Sequence, residues 1–278
     1  MDGLIVRAGR PRSGSRPTVK VTPEDAGWTY VGFAVYRTAP GEAVDLREAD
    51  RETAVIVLEG TCDVTADGKT FASVGSRASV FDNVPPEAVY VPPNCPIRII
   101  PRTRAEVAVA TAASKRGEGP ARRIPPEEIP FEERGEGNTR RYIRHILDEH
   151  HPAAKLLLVE VVTPAGNWSS FPPHKHDQEI PGKEAYLEET YYFRLDPPRG
   201  WAFQRVYDKE GLDRVLTPSD GDLVLVPRGY HPVVTPPGFT CYYLNVMAGH
   251  NRTWKYTIDE DFSHIAPKDG DITGKVIR

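Results

Sequence analysis

Cysteine is scarce in this chain: only Cys62, Cys95 and Cys241 occur in 278 residues. An odd, widely spaced set excludes a disulfide framework and suits buried thiols in a reducing compartment, so the expected location is cytoplasmic. No apolar run approaches the ~20 residues of a membrane-spanning helix, and "MDGLIVRAGRPRSGSRP" has no signal-peptide core. The arginines of that opening stretch are expected in a solvated arm. Basic residues are not in excess: 35 Lys and Arg face 39 Asp and Glu, a net charge of −4. Neither nucleic acid nor an anionic membrane is therefore expected as a partner. Asn167-Trp-Ser and Asn251-Arg-Thr match the glycosylation pattern, which carries no meaning without secretion. No Gly-x-Ser-x-Gly elbow occurs, and "GEGNT" (135–139) lacks the Lys-Ser/Thr ending of a phosphate loop. Helical periodicity is rare as well; its best stretch is a short one around "DEHHPAAK".

Proline and glycine are plentiful, at 27 and 23 residues. That proline share is about twice the usual one, and the prolines fall between short apolar alternations, which suits many short strands joined by tight turns. In the first half the candidates are 27–38, 53–60, 61–71 with Asp67-Gly68 as a hairpin turn, 78–93, "CPIRIIPR" and "AEVAVATAA". In the second half they are 140–147, 155–162, 190–195, 201–207, 221–227 and 239–249. Between them, residues 117–139 are rich in Pro, Gly, Glu and Arg without apolar period, and read as a connection with one helical turn. The plan is all-β and internally duplicated: domains at 1–116 and 140–278, joined by 117–139. "VYVPPNCPIRI" matches "VLVPRGYHPVVT" in outline, with Cys95 or Pro96 where the second copy has His231.

The second half carries the chemistry. His174 and His176 stand at i and i+2, which on an extended chain sends both imidazoles to one face. "GDLVLVPRGYHPV" (221–233) supplies a turn, a buried strand and a Pro-Gly turn that presents His231. These pieces resemble the two cupin motifs, His-x-His with a downstream Glu and Gly-Asp…Pro-x-Gly-x-His; the latter is met by Gly221, Asp222, Pro227, Gly229 and His231. The resemblance implies two tandem cupin jelly-roll barrels, the first degenerate, the second holding a divalent metal through His174, His176, Glu189 and His231. Zinc is the first expectation, with manganese, iron and nickel compatible. The spacing departs from the generic cupin, because "DQEIPGKEAYLE" is inserted before the glutamates; it reads as an enlarged hairpin loop. Alternation in "LEETYYFR" groups Glu189, Tyr191 and Phe193 on the more aromatic face, and cupin placement also selects Glu189 over Glu188.

The run from "PPHKHD" through "LEETYYFRLDPPRGWAFQRVY" to "TCYYLNVMAG" resembles the 5-deoxy-glucuronate isomerase family of myo-inositol catabolism, insert included. The resemblance implies a metal-dependent aldose–ketose isomerase that turns 5-deoxy-D-glucuronate into 2-deoxy-5-keto-D-gluconate. Its partner is then a small sugar acid, with a homo-oligomer also compatible. The proton carrier would come from Glu188, Lys175, Tyr191 or Tyr243. Substrate contacts would come from Arg205 as carboxylate anchor, Gln204 as its alternative and Asn245 beside His231. Arg194, Arg140, Arg141 and Arg144 are further cations for that carboxylate. A related uronate ketol-isomerase, an iron-dependent cupin oxygenase and a non-enzymatic ligand-binding cupin are the competing readings.

Overall fold

A computed structural model describes residues 3–9, 16–265 and, as backbone, 275–277. The chain divides into two compact units, each built mainly of antiparallel strands.

One unit comprises Ala8–Ile129 and Ile146–Leu158. Its six-stranded sheet runs in the order Arg122–Ile124, Glu87–Val91, Arg51–Glu59, Ala105–Ala113, Val31–Thr38 and Val19–Val21. A four-stranded sheet of Val44–Arg47, Pro96–Pro101, Cys62–Ala66 and Lys69–Val74 completes the jelly roll. Inward positions are aliphatic: Val55, Val57, Val64, Val89 and Ile99 lie in one buried cluster, against which Cys95 packs. The half with no His231 counterpart thus packs aliphatic side chains at these inward positions. Asp67 and Gly68 both take positive φ, 50° and 70°, which is how a two-residue loop matches the twist of its strands. The strand expected from 78 begins only at Glu87. Pro85 and Pro86 have no N–H for a ladder, and the segment before them is a loop tied by Arg77 to the carbonyls of Leu58 and Val84. "DEHHPAAK" is a turn, not a helix: Asp148 Oδ1 accepts from the backbone of His150 and His151, and buried Glu52 gathers the N–H groups of Ala154, Lys155 and Leu156.

The other unit comprises Met1–Arg7, Pro130–His145 and Val159–Arg278. Its main sheet has eight strands, in the order Ile5–Val6, Leu223–Val226, Leu187–Asp196, Thr240–Gly249, Leu157–Thr163, Arg141–Leu147, Phe131–Arg134 and Lys275–Ile277. Facing elements are a four-stranded sheet (Trp168–Ser169, Val233–Val234, Phe203–Tyr207, Asp213–Leu216) and the pair His174–Lys175 with Thr257–Ile258. The start of the chain departs from the expected solvated arm. Ile5 and Val6 pair with Val224 and Leu223, and Arg7 binds the buried Asp222 at 2.7 Å. Arg10 and Arg12 of that stretch lie outside the described residues. Within the connection 117–139, Pro126–Glu128 and Gly137–Thr139 are single 3₁₀ turns, and Arg122–Ile124 and Phe131–Arg134 are strands. Among the described residues no helix is long and apolar enough to cross a membrane.

Candidate metal centre and active site

The central strand Leu187–Asp196 pairs along its length with Thr240–Gly249, setting Glu189 opposite Met247, Tyr191 opposite Asn245 and Phe193 opposite Tyr243. Residues directly opposite share a face, so Glu189, Tyr191, Asn245 and Tyr243 look into one interior. Glu188 is buried on the other face of the strand.

Two devices deliver the histidines to that face. Leu187 donates its N–H to His176 O at 2.9 Å, which ties the first imidazole segment to the glutamate strand. The insert between them closes as a hairpin, with Ile180 bridged to Glu184 and Gly182 at φ 78°. Glu184 is buried and accepts from Asp177 N, Gln178 N and Lys175 Nζ at 3.0, 3.0 and 3.1 Å. Lys175 also pairs with Asp177, so its ammonium is committed to the insert. Asp177 Oδ2 in turn accepts from Gly229 N at 2.7 Å, linking the insert to the turn that carries His231. Gly229 sits at φ 83°, and a Cβ there would lie 2.3 Å from Tyr207 O.

All three imidazoles are oriented in the same manner. Their Nδ1 atoms lie 3.1 Å (His174), 3.0 Å (His176) and 2.9 Å (His231) from the carbonyls of Pro172, Leu187 and Gly229. A carbonyl only accepts, so each Nδ1 carries the proton and each neutral ring leaves its Nε2 lone pair free. His176 Nε2 is 3.0 Å and His231 Nε2 3.2 Å from the same oxygen, Glu189 Oε2. These three residues are buried, and their donor atoms all lie within 4.8 Å of one another. His174 stands at the edge of the group, its ring 5.0 Å from that of His231 and 6.5 Å from that of His176.

Two imidazole nitrogens aimed at one carboxylate oxygen need a proton or a cation between them. The electrostatics reflect this. Burial opposes protonation of His176, but the hydrogen bond and charge of Glu189 outweigh it and raise its pKa. Burial pushes the Glu189 carboxyl up, yet the facing imidazoles hold it down at about 2. His174, with burial, His231 and His176 against it, is held well below the ordinary imidazole value. A charged carboxylate with imidazole nitrogens turned toward it, each ring fixed from behind by a carbonyl, is a donor set that fits a divalent ion.

Beyond the cluster, Ser170 Oγ lies 3.0 Å from the Tyr191 hydroxyl and 3.3 Å from that of Tyr243. Burial raises both phenols, Tyr191 well above its ordinary value and Tyr243 to about 12. Asn245 Nδ2 is buried with no hydrogen-bond partner among the described residues. Gln204 is buried and donates to His231 O at 3.3 Å, so it positions the histidine turn. Arg205 is turned out of the site. Alternation in Phe203–Tyr207 sends it to solvent, where it pairs with Asp213 at 2.9 Å and lies over the Tyr207 ring. Two residues are brought in from segments without a strand pattern: Ser170, in a left-handed conformation at φ 49°, and Tyr256, whose ring lies 4.7 Å from that of His174. Arg141, the first residue of its strand, is buried and donates to the carbonyl of Phe171, next to Ser170, at 2.9 Å.

Jelly-roll units with an inward carboxylate and imidazole cluster define a cupin. The fold agrees with that of oxalate decarboxylase from Lactobacillus farciminis, at TM-score 0.65 and 14% identity over 95% of this chain and 90% of that one. The chain belongs to the KduI/IolB family, whose profile matches residues 4–265. It is 47% identical over 262 residues to a 5-deoxy-glucuronate isomerase of Geobacillus kaustophilus, covering 94% of each chain. The crystal structure of an IolB-like protein from Salmonella typhimurium superposes at TM-score 0.91 with 41% identity, covering 95% of this chain and 99% of that one.

Proposed function

We propose that this chain is a metal-dependent aldose–ketose isomerase that converts 5-deoxy-D-glucuronate to 2-deoxy-5-keto-D-gluconate in inositol catabolism. The observation that carries this reading is the shared Glu189 oxygen, faced by the Nε2 atoms of His176 and His231 at 3.0 and 3.2 Å. The Geobacillus relative named for this activity supports the choice of substrate. In this reading His176, Glu189 and His231, joined by His174, hold a divalent ion, and the nitrogen-rich donor set favours zinc. Such an ion, when bound, polarises a substrate carbonyl and the neighbouring hydroxyl as a Lewis acid.

The remaining residues support the proton traffic of an isomerisation. Tyr191 and Tyr243 keep their protons at neutral pH, because burial raises both phenols. Their part is donation to oxygens on which negative charge develops. Ser170 stands between the two hydroxyls and completes a chain of three O–H groups able to pass a proton. Glu188 and Lys175 are less suited to this task, one on the opposite strand face and the other tied to Asp177 and Glu184. Free thiols at Cys62, Cys95 and Cys241 support a reducing, cytoplasmic setting.

The test is incubation with 5-deoxy-D-glucuronate in D₂O, followed by NMR with and without chelator. Chelator-sensitive conversion to the keto acid without oxygen uptake is expected. Metal-loaded protein that leaves the acid untouched, or that consumes oxygen, would overturn the reading.

A further inference from the structure

In the second unit the half-buried Arg134 and Arg194 and the buried Arg144 are each paired with a carboxylate, and Arg141 departs from this pattern. Arg134 bonds Glu132 through two nitrogens at 2.5 and 2.8 Å, Arg144 pairs with Glu160 at 3.3 Å, and Arg194 with Asp220 at 2.8 Å. Arg141 is only 5% exposed, and its bonds go to backbone carbonyls: Nη1 to Thr139 at 3.0 Å and Nη2 to Phe171 at 2.9 Å. Among the described residues no carboxylate reaches ion-pairing distance of it. A guanidinium has five N–H groups, so the two carbonyls aim the fork and leave donors over. Burial and the neighbouring Arg134 pull its pKa down to about 10 against the opposing charge of Glu132, whose oxygens are bonded to Arg134 and His145. A charge buried without a counter-ion is costly, and an arriving anion would relieve that cost.

Its surroundings connect it to the cluster along two routes. Its Nη2 donates to the carbonyl of Phe171, next to Ser170, whose hydroxyl meets those of Tyr243 and Tyr191, and the Tyr191 ring is 5.8 Å from that of His231. Past Phe171 the same segment runs to His174, whose Nδ1 is held by the carbonyl of Pro172 at 3.1 Å. Guanidinium and imidazoles are thus tied to one segment, 170–174, beside the Tyr191 and Tyr243 hydroxyls. An open-chain sugar acid has the same layout, with a carbonyl at one end, hydroxyls between and a carboxylate at the other.

We propose that Arg141 is the anchor of the substrate carboxylate, binding it through the guanidinium donors that the Thr139 and Phe171 carbonyls leave over. This rests on the isomerase reading of the same site, which it deepens by assigning the acid-recognising residue.

The experiment compares metal-loaded wild type with R141M, which keeps the bulk and removes the charge. With 5-deoxy-D-glucuronate, KM should rise about a hundredfold, as expected for a lost charge-assisted pair, with metal content and melting temperature unchanged and kcat falling less. Binding of D-glucuronate and D-glucose, read by ligand-observed NMR, separates charge from shape and needs no turnover. R141M should lose glucuronate and keep glucose. If wild type binds glucuronate but does not isomerise the deoxy acid, the isomerase reading fails and the binding comparison still decides Arg141. Should R141M not fold, R141K keeps the charge without the planar fork, and should bind glucuronate at least about tenfold more weakly with glucose unchanged. Equal glucuronate binding by variant and wild type, equal loss of both sugars, or no glucuronate binding by wild type would each overturn the anchor.

Discussion

His176 Nε2 lies 3.0 Å from Glu189 Oε2 across an insert that separates the two residues by 13 positions. The contact joins the segment after the short strand His174–Lys175 to the central strand of the metal-type barrel. Both partners are fixed from behind, His176 by the carbonyl of Leu187 and Glu189 by its place in the ladder opposite Met247.

The pH dependence of metal binding follows from this pair. The pKa of His176 is raised by Glu189, so in the metal-free protein a proton occupies His176 up to pH values above the ordinary imidazole value of 6.5. A metal must displace that proton, so affinity falls as pH is lowered through the raised pKa. Glu189, held at about 2, stays ionised and contributes nothing to the slope. Competition with a chelating dye between about pH 8 and about pH 5.5 should show roughly one proton released per ion in this window.

Replacing Glu189 by Gln should abolish stoichiometric metal, and replacing Glu188 by Gln should leave it. The two residues are neighbours in sequence on opposite strand faces, so metal content by elemental analysis separates them cleanly. Metal at a hundredfold excess over its Kd adds about 2.7 kcal/mol of stability. Chelation should therefore lower the melting temperature of wild type and E188Q but not of E189Q.

Gly229 is at φ 83° with Tyr207 O in the place of a Cβ, 2.3 Å away. Both the dihedral and the clash are with backbone, so G229A must displace the turn that presents His231. A loss of roughly 1–3 kcal/mol in denaturant unfolding is expected, with metal affinity reduced although no donor atom is removed.

In the first barrel, fully buried Glu52 accepts from three consecutive backbone N–H groups and from the Tyr90 hydroxyl at 2.8 Å. E52A strands those donors and should cost about 3–5 kcal/mol, whereas Y90F removes the bond to Glu52 and the one accepted from Glu118 N and should cost about 1–2 kcal/mol. Urea unfolding of both variants gives the comparison, and metal content should remain at the wild-type level in Y90F.

R205A serves as the control for Arg141. The pair of Arg205 with Asp213 is 48% and 59% exposed at its two side chains. Such pairs contribute little, so stability should change by less than about 0.5 kcal/mol and KM for the sugar acid should stay the same.

Much of the architecture was legible along the chain because strand pairing leaves a period of two and turns demand particular residues. Asp67-Gly68 announced its hairpin, and alternation in "LEETYYFR", together with cupin placement, sorted Glu189 from Glu188. The inserted segment read correctly as a hairpin because Pro-Gly sits at its middle, with Gly182 at φ 78°. The misreadings share a cause. "DEHHPAAK" has helical spacing but is held as a turn by Asp148 and by Glu52, about a hundred residues earlier in the chain. Ile5 and Val6 looked like part of an arm because two apolar residues carry no period, and only the exposed edge of Leu223–Val226 makes them a strand.

By itself, then, the sequence determined the all-β duplicated plan, the half that carries the polar cluster and the residue types gathered there. Those are consequences of local periodicity and of turn chemistry, which neighbouring residues encode. Tertiary structure alone decided which imidazole nitrogens face Glu189, since that depends on three carbonyls behind the rings. It also turned Arg205 to solvent and left Arg141 buried with no ion-paired carboxylate among the described residues. Charge compensation is a property of what surrounds a side chain in space, and no spacing along the chain records it.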